Sequence, residues 1–392
     1  MKYFPEHRDD LFYVRTNDGA KEFRVVIAPV ANPGVDHWKE LVPGKPGLTI
    51  EDFQPFADHA VVVERAGGLV RFLISDYENQ SLARIELPEP AYLAAPEFHP
   101  EFATGAFRFK YESPVTPPSI FEYDIASRSK KLLKQTEVPG GYDPEHYMVE
   151  RVHATAPDGK KVPLDIVRRK GVPVDGTAPC WLYGYGSYGI SIDPSFSSNR
   201  ISLLDRGVIY AIAHIRGGGE LGEAWHDDGR MMTKKNTFTD FIACADFLVE
   251  KKFATHERMV IHGGSAGGLL IGATINLRSN LAHVAILDVP FVDVLNTMSD
   301  ATLPLTTGEY IEWGNPNKKA EYDYIKTYSP YDNIAAKDYP AMLLFTSLND
   351  SQVPYWESAK FAAKLRALKT DKNALLFKIN LDAGHGGASG RF

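Results

Sequence analysis

The pattern of apolar and polar positions divides the chain near residue 140. After that point, short apolar runs alternate with segments in which apolar residues recur at helical spacing. Strands are predicted at 178–183, 208–215, 259–263, 283–287, 341–347 and 374–381. Helices are predicted at about 237–251, 266–277 and 355–368. Alternation of this kind predicts an α/β fold with a doubly wound sheet and short crossovers.

The first part of the chain is rich in short strand patterns that recur. Runs of the same type lie at Leu11–Thr16, Ala60–Ala66 and Ala106–Glu112, and each is followed by a second run, at 23–29, 69–75 and 119–125. A period of about 40–50 residues containing several short strands predicts propeller blades. A plain antiparallel sandwich is the alternative. About three blades fit in this length, and a ring needs roughly four to eight, so these blades alone cannot close one.

A turn-rich stretch at 139–144 separates the two patterns. We therefore predict two domains, a partial β-propeller over 1–141 and an α/β domain over 142–392. The second domain is expected to open with a hairpin, formed by 147–156 and 161–168 around the turn Pro157-Asp158-Gly159.

One motif in the α/β part carries chemistry. Gly263-Gly264-Ser265-Ala266-Gly267 lies between a predicted strand and a predicted helix. A G-x-S-x-G in this position predicts the nucleophile elbow of an α/β-hydrolase. Glycines let the tight turn close, and they leave the hydroxyl of Ser265 exposed at the positive end of a helix dipole. A glycine-rich structural turn is the alternative interpretation.

A serine nucleophile needs a base and an acid that orients the base. In α/β-hydrolases the acid and then the histidine follow the serine along the chain, each on a loop after a strand. Asp350 follows the run 341–347, and His385 follows the run 374–381. Asp288 also follows a predicted strand, so the pattern favours Asp350 without excluding Asp288.

Several longer motifs resemble those of the prolyl oligopeptidase family of serine peptidases, and within it the oligopeptidase B group. They are Gly-Gly-Ser-Ala-Gly-Gly around Ser265, and the segments 183–189, 215–222, 305–309, 312–316, 328–333 and 383–386. The resemblance is dense from about residue 145 onward and looser before it. It implies a propeller before the hydrolase domain, and it selects Asp350 as the acid.

The same resemblance implies the oxyanion hole and the substrate pocket. The backbone N–H of Ala266 follows from the elbow geometry. The second donor matches Tyr185, although Tyr183 and Tyr188 compete with it on pattern alone. Glu309 matches a glutamate that receives an Arg or Lys side chain, and Phe291 matches an aromatic ring that stacks on it.

Other positions matched to the family concern specificity. Asp193 matches an acid that binds a second basic residue of the substrate. Ile311 and Ser195 stand where many relatives carry further carboxylates, which weakens the expectation of dibasic preference. Gln352 occupies a position at which prolyl-specific relatives have arginine.

Another glycine motif, at 217–222, matches the dinucleotide-binding pattern G-x-G-x-x-G. That site requires an apolar helix directly after the glycines and an acid at the end of the next strand. The segment 223–229 is polar, and Asp240 lies in a helical pattern. We therefore interpret the motif as a structural loop near the active site.

Composition agrees with a globular enzyme. The 392 residues are 44% hydrophobic and 24% charged, and the formal net charge is −7. This charge argues against a nucleic-acid partner and suits cationic substrates. Cys180 and Cys244 cannot form a disulfide framework, and both are expected to be buried. No signal peptide or membrane span is recognisable, so we expect a cytoplasmic protein that does not bind membranes.

The sequence thus predicts a serine-type oligopeptidase that cleaves short peptides after Arg or Lys, without a metal or other cofactor. A post-proline oligopeptidase or a carboxylesterase is the alternative on the same fold, and an inactive binding fragment is the alternative from another class. The resemblance also implies that the chain is an internal piece of a longer protein. Such a piece is expected to aggregate or melt broadly when expressed alone, because unpaired apolar faces need neighbours.

Overall fold

The computed structural model describes residues 1–78 and 80–387. By contacts within the chain it divides into two compact units. The first unit contains residues 1–150 together with 193–199 and 220–224, and the second unit contains the rest of the chain. The two short segments belong to the first unit although they follow residue 150 in the sequence. A prediction with one domain boundary does not include them. The domain limits given above stay a prediction.

Three four-stranded antiparallel sheets make up most of the first unit. The first sheet contains β1 Tyr3–Arg8, β2 Leu11–Thr16, β3 Arg24–Pro29 and β4 Lys39–Val42. The second contains β5 Leu48–Pro55, β6 Ala60–Ala66, β7 Leu69–Ser75 and β8 Ser81–Arg84. The third contains β9 Leu93–Pro96, β10 Ala106–Glu112, β11 Ser119–Asp124 and β12 Ser129–Gln135. Strands are neighbours in chain order within each sheet, which confirms the prediction of three propeller blades.

The blades form because apolar and polar residues alternate along their inner strands. In β10, Phe107 and Phe109 are buried, whereas Arg108 between them and Lys110 after them are exposed. Phe107 and Phe109 join Phe72 of the second blade in one aromatic cluster, with the rings of Phe72 and Phe107 in edge-to-face contact at 5.1 Å. Aromatic pairs of this geometry stabilise a core beyond the area that they bury.

An eight-stranded sheet forms the centre of the second unit. Its strands are β13 Tyr147–Thr155, β14 Lys161–Arg169, β15 Cys180–Gly184, β16 Ile209–Ala213, β17 Met259–Gly264, β18 Val284–Asp288, β19 Ala341–Ser347 and β20 Leu375–Asn380. Their order in the sheet is β13-β14-β16-β15-β17-β18-β19-β20. Strand β14 runs antiparallel to β16, and the pairs from β16 to β20 are parallel.

Among the residues that the structure describes, eight α-helices accompany these strands. They are α1 Ser198–Asp205, α2 Glu223–Asp227, α3 Lys235–Glu250, α4 Ala266–Leu277, α5 Val294–Ser299, α6 Tyr310–Trp313, α7 Lys319–Lys326 and α8 Tyr355–Leu368. Helices α3, α4 and α8 correspond to the three predicted helices, and the α/β-hydrolase fold class is confirmed. Cys180 and Cys244 are buried free cysteines, as predicted. Over residues 1–78 and 80–387, no helix has the length and apolar character needed to cross a membrane.

Parallel pairing gives the second unit its functional edge. The carboxyl ends of parallel strands lie at the same edge of a sheet, and ligands of open α/β sheets bind there. Ser265, Asp350 and His385 lie in the loops that follow β17, β19 and β20 respectively, and Asp288 is the last residue of β18. The fold therefore brings these four residues, widely separated in sequence, to one edge.

Candidate active site

Ser265 lies at the sharp turn between β17 and α4. Its backbone is in a strained conformation, with φ 56° and ψ −119°. A Cβ atom on Gly263 would lie 2.2 Å from the carbonyl oxygen of Gly267, so no larger residue fits there. Strain of this kind persists only where surrounding structure imposes it, and it occurs mainly at functional sites. The predicted elbow is thus present in the structure.

His385 contacts both of its predicted partners. Its Nε2 is 3.0 Å from Oγ of Ser265, and its Nδ1 is 2.7 Å from Oδ2 of Asp350. Because an ionised carboxylate only accepts hydrogen bonds, Nδ1–H donates to Asp350 and Nε2 is left to accept from the serine hydroxyl. This is the tautomer in which a histidine can take a proton from serine.

The carboxylate of Asp350 is fixed on its other side as well. Its Oδ1 accepts hydrogen bonds from the backbone N–H groups of Gln352 and Val353, both at 2.9 Å. The side chain of Asp350 is fully buried, and that of His385 is 17% exposed. The acid is therefore held in one orientation, while the histidine ring retains access to solvent.

Asp288, the rival acid, occupies a different position. Its backbone carbonyl accepts a hydrogen bond from the N–H of Ser265 at 2.8 Å. Burial raises the pKa of its carboxyl, an effect that nearby His385 partly offsets. The carboxyl of Asp288 thus interacts with His385 electrostatically, whereas Asp350 is the residue that accepts the hydrogen bond from Nδ1 of His385.

Two donors adjoin Ser265 where an oxyanion would form. Ala266 is the first residue of α4, so its N–H is one of those that no carbonyl of the same helix can accept. Tyr185 lines the same pocket as Ser265; burial raises the pKa of this tyrosine to about 12, an effect that nearby Ser265 opposes. Tyr185 therefore stays protonated, as a hydrogen-bond donor must.

The competing tyrosines are engaged elsewhere. The Tyr188 hydroxyl donates to Oε2 of Glu309 at 2.8 Å. Tyr183 packs its ring against His262 at 5.2 Å, and burial raises its pKa to about 12. Of the three, Tyr185 is the one whose pKa is influenced by Ser265.

A pocket of about 230 Å³ opens beside the serine. Tyr185, Ser265 and Phe291 line it on one side, and Glu309 is part of its wall. Oε2 of Glu309 accepts from the hydroxyl of Tyr188 and from Nε1 of Trp313, the latter at 2.7 Å. Within residues 1–78 and 80–387 no donor is bonded to Oε1 of Glu309, which is thus open to a cation.

The aromatic lining is packed against the same tryptophan. Phe291 is buried and its ring lies 5.3 Å from that of Trp313. Its N–H donates to the carbonyl of Ser265 at 3.0 Å, which ties the pocket wall to the elbow. Ile311 is 71% exposed, and Gln352 lines the pocket.

Asp193 belongs to the first unit. Its Oδ1 accepts from Nη1 of Arg65 at 2.8 Å, and Nε of the same guanidinium bonds to Glu51. The structure thus gives Asp193 a cationic partner of its own, which a substrate residue would have to displace. Ser195 lies in the same segment of the first unit.

The glycine loop at 217–222 packs against the loop 185–189, which carries Tyr185, instead of forming a nucleotide site. A Cβ atom on Gly217 would lie 2.1 Å from the carbonyl oxygen of Gly186. The N–H of Gly189 donates to the carbonyl of Gly217 at 3.0 Å. The five-residue helix α2 follows the motif, and it is too short for the helix that a dinucleotide needs.

Comparison with known proteins agrees with this geometry. The sequence model of the prolyl oligopeptidase family matches residues 194–392, and that of the N-terminal β-propeller domain of prolyl oligopeptidase matches residues 2–136. The chain belongs to the prolyl oligopeptidase family. This is the family that the sequence motifs resemble.

Relatives within the family cover the whole chain. Dipeptidyl aminopeptidase BI of Pseudoxanthomonas mexicana is 48% identical over 100% of the chain and 54% of its own length. Protease 2 of Moraxella lacunata is 41% identical, over 100% of the chain and 56% of the relative. The solved structure of oligopeptidase B from Trypanosoma brucei, with covalently bound antipain, is 42% identical. It matches with a TM-score of 0.92, over 99% of this chain and 56% of that one. The chain thus spans about half the length of these relatives.

Sequence reasoning missed a buried polar group behind the pocket. Lys234 and Glu312 bond to the loop 185–188, and His226 bonds to Glu312; none of the three was predicted as a site residue. Lys234 and Glu312 are buried, at 1% and 3% exposure. The signal that could have found them is weak, since Lys234 adjoins another lysine in a polar segment. In the part of the chain that the structure describes, no cluster of His, Cys, Asp or Glu could hold a metal ion.

Proposed function

We propose that the protein is a serine endopeptidase that hydrolyses short peptides on the carboxyl side of Arg or Lys. The observation that carries this proposal is the carboxylate of Glu309 in the wall of the pocket beside Ser265. An open carboxylate oxygen in a largely apolar pocket favours a side chain with an apolar stem and a cationic end. Oligopeptidase B, the group whose motifs the sequence resembles, is among the similar solved structures.

The reaction would proceed through an acyl-enzyme. Ser265 Oγ attacks the scissile carbonyl carbon while Nε2 of His385 takes its proton. Ala266 N–H and Tyr185 O–H donate to the oxyanion of the tetrahedral intermediate. When that intermediate collapses, the C–N bond breaks and His385 returns the proton to the leaving amine.

Deacylation would reverse these roles. Water loses a proton to His385 as it attacks the acyl carbon, and the proton then returns to Ser265 as the peptide acid leaves. Asp350 keeps the imidazole in the tautomer required and stabilises the imidazolium that forms in each half of the reaction.

Short basic peptides are the partners that we propose, with Phe291 packing against the aliphatic part of the bound side chain. Asp193 is the weakest of the proposed contacts, because Arg65 already neutralises it. A nucleic-acid or membrane partner is not part of the proposal, and the cytoplasmic location stays a prediction.

Labelling and a peptide panel test the proposal. A fluorophosphonate should label the wild-type chain at Ser265 and should not label Ser265→Ala, whose kcat should fall by several orders of magnitude. Fluorogenic peptides ending in Arg or Lys should be cleaved, and those ending in Pro or a neutral residue should not. Offering each peptide with a free and a blocked amino terminus separates an endopeptidase from an enzyme that removes amino-terminal dipeptides, the activity that the name of one relative suggests.

Glu309→Gln tests the basis of specificity. It keeps the size of the side chain and removes its charge, so arginyl substrates should lose roughly 2–4 kcal/mol of transition-state binding. Neutral ester substrates, which acylate Ser265 without using the carboxylate, are the control and should lose far less. Equal losses for both substrate types would contradict the assignment of Glu309 while leaving that of Ser265 intact.

A further inference from the structure

The loop that carries Tyr185 has a backbone that is unfavourable on its own. Gly186 has φ 72° and Tyr188 has φ 60°, so two of four consecutive residues are in the left-handed region. A tyrosine adopts this conformation only where its neighbours impose it. A Cβ atom on Gly186 would lie 2.6 Å from the Thr237 side chain, so the loop is also tightly packed against α3.

A buried lysine bonds this loop from within the core. Nζ of Lys234 donates to the carbonyl oxygen of Gly186 at 2.7 Å and to Oγ of Ser187 at 2.8 Å. The same nitrogen lies 4.9 Å from the ring centre of Trp313, a distance at which a cation is attracted to an aromatic face. Lys234 thus contacts both the loop that carries Tyr185 and the ring of Trp313, which donates a hydrogen bond to Glu309.

A buried carboxylate bonds the loop at its other end. Oε1 of Glu312 accepts the backbone N–H of Tyr188 at 2.9 Å. Oε2 of Glu312 is 2.7 Å from Nε2 of His226, which fixes the carboxylate in turn. The loop is consequently held between a cation that binds its carbonyl side and an anion that binds an N–H.

Burial of these charges is costly in itself. Desolvation lowers the pKa of Lys234 to about 8, against the opposing influence of Glu312. The catalytic steps proposed above do not use Lys234 in proton transfer, and its Nζ bonds to the loop instead of to Ser265 or His385.

We propose that Lys234 and Glu312 are positioning residues that clamp the loop 185–188 and thereby aim the hydroxyl of Tyr185 at the oxyanion beside Ser265. The inference rests on the proposed function, because it assigns the clamp to the same reaction. It goes beyond that function in naming residues that touch neither the substrate nor the triad. The clamp acts through geometry, so its loss should lower turnover more than substrate affinity.

A double-mutant cycle separates positioning from general support. Tyr185→Phe removes the donor and should lower kcat by roughly 10²–10³. Lys234→Met removes the clamp at similar side-chain length and should lower kcat by at least about tenfold with KM changed less than about threefold. In the double variant the lysine should matter no further, since the group that it positions is gone.

Rates must be expressed per active site, counted by fluorophosphonate labelling. Losses that multiply in the double variant, or a Lys234→Met enzyme with wild-type kcat, would overturn the proposal. Lys235→Met is the matched control, because it removes the neighbouring lysine, whose Nζ lies over Tyr324 instead of under the loop. That variant should retain wild-type kinetics.

Hydrogen exchange tests the clamp without relying on activity. The amides of Tyr188 and Gly189 are both hydrogen-bonded, to Glu312 and to Gly217. In Lys234→Met these two amides should exchange at least about tenfold faster, while amides of β17 and β19 keep their protection. Unchanged exchange in the loop would refute the clamp even if the enzyme were a peptidase. Faster exchange in a chain that cleaves no basic peptide would instead sink the proposed function alone.

Milder variants keep the test decisive if Lys234→Met fails to fold. Ser187→Ala removes one of the two acceptors of the lysine and leaves the carbonyl of Gly186, so its kcat should fall less than tenfold. Combined with Tyr185→Phe, it should lower kcat no further than Tyr185→Phe alone. Glu312→Gln keeps an acceptor for the N–H of Tyr188 while removing charge. Wild-type kcat and loop exchange in both variants would contradict the proposal.

Discussion

The two units differ in what they bury. In the described part of the chain, the acidic and basic residues whose whole-residue exposure is at most 1% all lie in the second unit; they are His214, Arg216, Lys234, Asp240 and Glu357. The first unit buries mainly aromatic and aliphatic residues, and its most buried acidic and basic residues are His59 and Glu220, each 3% exposed, followed by Glu64 at 5%.

Most of these buried acidic and basic side chains bond to the backbone of the second unit. Lys234 donates to the carbonyl of Gly186, and Glu357 accepts the N–H groups of Val292 and Asp293. Asp240 accepts the N–H of Arg216. A repeating sheet satisfies its backbone within its own ladders, whereas irregular loops must find partners among side chains. Buried charge in this protein therefore accompanies the loops that carry the candidate site.

The largest effect should come from the acid of the triad. In Asp350→Asn the amide can face Nδ1 of His385 with its N–H₂ group, which favours the tautomer that leaves Nε2 protonated. That nitrogen then cannot accept the proton of Ser265, so kcat should fall by about 10³–10⁴ with the fold intact. Steady-state kinetics together with circular dichroism would measure both.

Asp288→Asn is the matched control. It makes the same chemical change at the end of the adjacent strand, where the side chain influences His385 only through space. Its kcat should change by less than about tenfold. Comparable losses in the two variants would mean that charge near the histidine matters more than the direct hydrogen bond.

Much of this difference between the units could be predicted from the sequence. The repeat of strand patterns predicts the three blades, because each blade buries the same alternate positions. In the second unit, strand–helix alternation and the order of Ser265, Asp350 and His385 predict the elbow and the triad contacts. The helices α1, α2, α5, α6 and α7 were not predicted, since they are short and lie in segments without a clear apolar period.

The polar support of the site could not be predicted, for a physical reason. Lys234 and Gly186 are separated by 48 residues, and Glu357 and Val292 by 65. Nothing in the local pattern around a lysine or glutamate distinguishes a buried residue that bonds a distant loop from a solvated one. Asp193 illustrates the same limit, because its pairing with Arg65 across 128 residues emerges only from the structure.

A second test perturbs the apolar core of the propeller unit. Phe72→Ala removes a fully buried ring that contacts Phe107 and Phe109, and it should lower the free energy of unfolding by about 3–5 kcal/mol. The molecules that remain folded should label with fluorophosphonate at the wild-type rate. Denaturant unfolding and labelling kinetics measure the two quantities separately.

Leu133→Ala is the control for this variant, because Leu133 of β12 is 42% exposed. Its effect on the free energy of unfolding should stay within about 0.5 kcal/mol. A Phe72→Ala protein with normal stability but slow labelling would break the comparison, since an apolar residue of the first unit would then be acting on the chemistry of the second.

The smallest expected effect concerns how the buried carboxyl of Glu357 makes the free energy of unfolding depend on pH. Burial raises the pKa of this carboxyl to about 7, although Thr297 and the N–H groups of Val292 and Asp293 bond to it. In the unfolded chain it titrates near about 4.3. Between these values the folded state holds a proton that the unfolded state has lost, so rising pH favours unfolding. As pH rises from about 4.5 to 7, Glu357 should thus lower the free energy of unfolding by up to about 3 kcal/mol.

The variant Glu357→Gln tests this pH dependence. Its amide oxygen can accept both backbone N–H groups, so urea unfolding of the variant across that pH range should not show the slope of the wild type. The control Glu250→Gln changes a largely exposed side chain and should leave the slope unchanged. If wild type and Glu357→Gln differ by a constant amount at every pH, the carboxyl is already ionised in the fold and its burial is fully compensated by its three donors.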